Sequence, residues 1–170
     1  MSVVRYLAPA LALAAGLAGQ AFATEPACDL KAPMSAAELQ KLLSLRAVEA
    51  IETAAQPVTA KTTARLEALI APDAAVELGM GDVGGAYEPG LKGARDLARE
   101  MHANLYIFQG WDYIPQMLDT VCGEQKVSVE FLDNRVKQRC EIAFTFLNGR
   151  ITRAAGWVRS YSTGRMTPPK

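Results

Sequence analysis

The chain has 170 residues, half of them hydrophobic, and its 18 Lys and Arg balance its 18 Asp and Glu. Such a neutral chain projects no field that would draw nucleic acid or an anionic membrane, so neither partner is expected and the isolated basic residues read as solvated surface. Without the leader described next, about 147 residues remain, enough for one core and too few for two.

Residues 1–23 read as a cleavable secretory signal peptide: Arg5, an apolar Ala/Leu run to about Gly19, then the small-x-small site Ala21-Phe22-Ala23. The run is shorter than the ~20 residues of a bilayer span, and no later stretch could span one. A secreted or periplasmic protein with no membrane attachment after cleavage is therefore expected. Residues 24–35 read as a tail, 36–162 as one domain, and 163–170, with paired prolines, as a second tail.

Ser35-Ala36-Ala37-Glu38 has the S-x-x-E form of a capping box, and Leu39, Leu42, Leu43, Val48 and Ile51 carry an amphipathic helix from there to about Ala55. A second helix is predicted over 62–70 and a short strand over 74–78. The stretch 79–93 is rich in Gly and Pro and reads as a loop. Within it, Gly79-Met80-Gly81-Asp82-Val83-Gly84 matches G-x-G-x-x-G, but it runs on into Gly85 and Pro89 instead of opening a helix, so no dinucleotide or other cofactor is expected.

A third helix over 92–104 buries Leu97 and Met101. Residues 106–113 hold Tyr106, Phe108, Trp111 and Tyr113. Those rings read either as packing where helix meets sheet or as the mouth of a pocket. Strands follow over 116–122, 125–132, 137–147 and 150–161. The last two are joined at Asn148-Gly149, the strongest short hairpin signal, and form the centre of a curved antiparallel sheet.

Cys28, Cys122 and Cys140 in an exported chain imply one disulfide and one leftover thiol. With turns near Gly123 and Asn134, Cys140 falls opposite roughly residue 128, two strands from Cys122 and beyond the ~7 Å Cα limit of a bridge. The bridge therefore uses Cys28, with Cys122 the preferred partner and Cys140 the alternative. Three scattered cysteines and one histidine lack metal-ligand spacing, so no metal is expected.

The order of elements, with Leu66-Glu67-Ala68-Leu69-Ile70-Ala71-Pro72-Asp73-Ala74, Gly90-Leu91-Lys92-Gly93-Ala94-Arg95 and Phe144-Thr145-Phe146-Leu147-Asn148-Gly149-Arg150-Ile151, resembles the NTF2-like (SnoaL-like) superfamily over residues 36–162. The resemblance implies an α+β fold, a cone-shaped barrel with N-terminal helices packed on a curved antiparallel sheet. It also implies a range of roles, from ketosteroid isomerases, dehydratases and cyclases to proteins that only bind or assemble. The isomerases' base and oxyanion-hole acid fall on Leu78 and Ile142, which can neither move a proton nor donate a hydrogen bond. His102, the only histidine, and Asp112 between Trp111 and Tyr113 are then the remaining catalytic candidates, each with an ordinary surface or turn role as its alternative.

The resemblance implies that Ile142 faces inward, and with strand alternation it then implies that Cys140, Ile142 and Phe144 share one wall with Ala154, Gly156 and Val158. With Leu78, Met101, Phe108, Trp111 and Tyr113 they would line an apolar pocket. Arg153, Trp157, Arg159 and Tyr161 would face outward, a composition that fits a homodimer interface through the sheet. The expectation is an exported protein that holds a small apolar molecule in its cone without catalysis. The alternatives are a cofactor-independent isomerase, dehydratase or cyclase, and a non-catalytic partner-binding or dimeric module.

Overall fold

The structure is a computed structural model that describes residues 27–31, 33–102 and 121–161 in full and 105–110 as backbone strand. Its elements run α1 (Ala36–Ala55), α2 (Ala60–Leu69), β1 (Ile70–Met80), β2 (Val83–Ala86), α3 (Gly90–Met101), β3 (Leu105–Gly110), β4 (Gln125–Asp133), β5 (Gln138–Leu147) and β6 (Arg150–Ser160). The six strands form one sheet in the order β2-β1-β6-β5-β4-β3. This is the α+β architecture that the resemblance implied, with two differences. The sheet is open, with β2 and β3 at opposite edges, and it is mixed, because β1 and β6 run parallel. Residues 1–26, on which the expected signal peptide falls, the segment 111–120 and the residues after Tyr161 lie outside the described residues.

Local chemistry explains the helix starts. The Ser35 hydroxyl accepts from Glu38 N at 3.2 Å while Ser35 N donates to the Glu38 carboxylate at 2.8 Å, so two otherwise orphaned amides are satisfied reciprocally. Thr59 and Thr62 repeat the device, which is why α2 begins at Ala60, earlier than its apolar residues indicate. Small Ala47, Ala50 and Ala54 line the buried side of α1, which packs against α3. Leu39, Leu43, Leu66, Leu97, Ile142, Phe144 and Phe146 close the space between helices and sheet, each almost wholly buried. Such side chains contribute about 1.5–3 kcal/mol apiece.

The strand differences also have identifiable causes. Pro72 argues for a break, but β1 carries it within a register shift between Ile70 and Ala75 and continues to Met80. The expected loop contains β2, paired with β1 across a turn at Gly81. The β4–β5 turn is centred later than expected, so Cys140 lies opposite Phe131 and not residue 128. Val121 and Cys122 form a turn, whereas the rest of the strand predicted over 116–122 lies outside the described residues.

Asn148 and Gly149 both take positive φ, +53° and +80°, the paired left-handed conformation that a two-residue hairpin needs. Three parts of the chain converge on this turn. Asn148 N donates to Cys122 O at 2.9 Å, and Cys122 is bridged to Cys28 with a Cα separation of 5.7 Å. Arg46 of α1 donates to Gly149 O at 2.7 Å and to both carboxylate oxygens of Asp29 at 2.8 Å. Leu30 is buried beside them. The segment before α1 is thus clamped covalently and ionically onto the hairpin.

Candidate functional site

The clearest apolar recess lies between α1 and the inner face of β4. It encloses about 350 Å³ and is lined by Ala37, Gln40, Lys41, Ser44, Leu45, Val48 and Val129. The helix supplies positions 37, 41, 44 and 48 at helical spacing, so they form one stripe beside the bulkier Leu39/Leu43 stripe that fills the core. Because Ala37 and Ser44 are short, the stripe stands back from Val129 and leaves the slot open. The Ser44 hydroxyl donates to Gln40 O at 2.7 Å, within its own helix. The wall facing Val129 therefore offers methyl and methylene groups with its hydroxyl already satisfied. Lys41 is the only titratable side chain among the described lining residues.

The residues read from the sequence as pocket walls occupy the core. Leu78, Met101, Cys140, Ile142, Phe144, Ala154 and Val158 are all buried in the cluster under α1 and α3, and Phe144 meets Phe131 edge to face at 6.4 Å. Gly156 is half-buried, and with Leu78 it borders a groove on the β1–β6 side of the sheet. Phe108 lies on β3, of which only the backbone is described, while Trp111 and Tyr113 lie outside the described residues. Cys140 is the free thiol, and burial pushes its pKa up to about 12, so it carries no nucleophilic role.

The outward-facing set is brought together. Arg153, Trp157 and Arg159 are exposed along β6, and Tyr161 just beyond it is half-buried with its hydroxyl on the Asn134 side chain. The Trp157 ring lies across Gly79, where an added Cβ would sit 2.3 Å from the ring carbons, so any larger residue there would push the ring aside. Arg153 pairs with Glu77 at 2.8 Å on the same face.

Of the two catalytic candidates, Asp112 lies outside the described residues, so the His102–Asp112 pairing is not part of the described site. His102 ends α3 in the left-handed region, φ +46°, with its side chain exposed. Its carbonyl accepts from Arg135 Nη2 at 2.9 Å, and the Arg135 guanidinium also grips the buried Asp133 carboxylate. That grip, with a further bond from Arg135 N, holds the Asp133 pKa down to about 2. Among the described residues no group of three or more His, Cys, Asp or Glu could hold a metal ion.

No protein-family model matches the chain, and no curated protein matches it either. Solved structures similar to it include NTF2-like proteins. One is an NTF2-like protein of unknown function from Methylobacillus flagellatus, 14% identical, covering 79% of this chain and 98% of its own, with a TM-score of 0.49. Another, of unknown function from Mesorhizobium loti, is 15% identical over 75% of this chain and 97% of its own, with a TM-score of 0.47. A de novo designed NTF2 fold protein is 19% identical over 74% and 88%, with a TM-score of 0.41. These are likenesses of fold, and no activity is carried over from them.

Proposed function

We propose that this protein holds a small apolar molecule, without chemistry, in the slot between α1 and Val129. One observation carries the reading: a recess of about 350 Å³ whose hydroxyl is internally bonded and whose walls are otherwise largely hydrocarbon. That volume is within the range of small-ligand sites, and apolar walls with few polar groups select by shape and burial. Among the described residues the core under α1 and α3 is filled by side chains, which favours the α1 edge over the centre of the fold as the ligand's position. The disulfide is compatible with an extracellular or periplasmic setting, and among the described residues no helix is long and apolar enough to cross a membrane.

The test uses a neutral probe, N-phenyl-1-naphthylamine, whose fluorescence rises in apolar surroundings. Saturable enhancement is expected with the native protein, and Ala37→Trp, at an exposed slot-lining position, should weaken it at least tenfold. Enhancement that never saturates, or that Ala37→Trp leaves unchanged in a folded protein, overturns the reading.

A further inference from the structure

A second cavity of about 620 Å³ opens where the C-terminal ends of α1 and α3 meet the β4–β5 turn. Its polar wall is cationic: Arg95, Arg99 and Arg135 line it beside His102, and no Asp or Glu is among its described lining residues. Pro57 and Val58 supply an apolar rim, with Val58 74% exposed.

Helix C-termini concentrate unpaired carbonyls and repel anions, so this corner would ordinarily be a poor place for a negative ligand. Here the arginines reverse that. Arg135 donates to His102 O at 2.9 Å and Arg95 Nη1 donates to Gln56 O at 3.3 Å. The carbonyls thereby become mounts that hold guanidinium groups at the cavity. Helix capping accounts for these bonds, and Asp133 and Asp96 account for the ion pairs of Arg135 and Arg99. It does not account for Arg95 Nη2, which is buried with no hydrogen-bond partner. A buried guanidinium nitrogen left unpaired is unfavourable, and its planar fork matches an oxyanion.

We propose that this corner binds an organic carboxylate, the oxyanion completing Arg95 and a compact apolar body covering Pro57 and Val58. The three arginines come from two separate parts of the chain, α3 and the β4–β5 turn, so only the fold assembles them. The site is distinct from the α1–Val129 slot, and substitutions in one leave the other intact.

Calorimetric titration with hexanoate, acetate and inorganic phosphate tests the assignment. Hexanoate should bind saturably and at least tenfold more tightly than acetate or phosphate, weakening as salt is raised. Arg95→Met should abolish at least nine-tenths of that affinity, and Arg95→Lys, which keeps the charge and loses the fork, should give an intermediate loss. Val58→Asp puts a repelling carboxylate on an exposed rim position that folding does not depend on, and should weaken hexanoate by a similar factor. Phosphate binding as tightly as hexanoate would overturn the organic-ligand assignment. Absence of saturable binding, or affinity unchanged in both Arg95→Met and Val58→Asp, would overturn the site itself.

Discussion

At the Asn148-Gly149 turn, Arg46 engages both terminal nitrogens, two bonds to Asp29 and one to the Gly149 carbonyl. At the corner between α1 and α3, Arg95 makes one long bond to a carbonyl and buries its other nitrogen without a partner. Residue type and secondary structure are the same in both places. What differs is completion: the first region is closed by the protein's own groups, while the second waits for a group from outside. An arginine is better read by what its nitrogens lack than by its charge.

The largest effect expected is at the closed region. Cys28→Ser, or reduction of the bridge to Cys122, should cost about 2–5 kcal/mol because it releases a long loop in the unfolded chain. Urea melts with and without reductant measure it, and a loss below 1 kcal/mol would mean that the clamp contributes little. Arg46→Ala should come next, at about 1–2 kcal/mol, since Asp29 is well exposed and its ion pair correspondingly screened. The same melts on Arg95→Met should show a change within about 0.5 kcal/mol, because only one weak bond is lost and an orphaned donor goes with it. Equal losses from the two arginines would erase the distinction between the regions.

A dependence on acid is also expected. Asp133 has a pKa depressed from 3.8 to about 2 by Arg135, and Arg46 lowers that of Asp29. For a depressed carboxyl, stability is fully present above the unfolded value and is lost as pH falls through the folded one. Stability should therefore decline between about pH 4 and pH 2, and Asp133→Asn should make that decline shallower while leaving the Asp29 contribution in place. An unchanged slope in Asp133→Asn would show that the open region is not tied together by this pair.

Much of this was legible from local signals. Ser35 with Glu38, Asn148 with Gly149, and the choice of Cys28 for the bridge each rest on short-range chemistry or simple register, and each is seen in the structure. The extent of β1 was not, because Pro72 is a strand breaker unless a bulge absorbs it, and the bulge depends on pairing with β6. The cation corner was hidden for a related reason. Arg95 and Arg135 are far apart in sequence, the whole chain is neutral, and isolated basic residues ordinarily belong to solvated surface. The slot left a fainter trace, the small and polar positions 37, 41 and 44 beside the leucine stripe of α1, which carries meaning only once Val129 is placed opposite.

The position of Cys140 bears on how an oxidised chain reaches this structure. In an unfolded chain the ring between Cys122 and Cys140, about 18 residues, closes roughly tenfold more readily than the one spanning 94 residues from Cys28 to Cys122. The sheet forbids that shorter ring. Cys122 sits at the Asn148 turn, whereas Cys140 lies eight residues down β5, about 25 Å along the strand. Early oxidation thus traps the chain in a pairing that must be reshuffled, while forming the β5–β6 hairpin first carries the competing thiol out of reach. Once Cys140 is buried between Phe131 and Val158, its thiolate is no longer available for exchange, and the correct bridge is protected from its nearest rival by packing alone.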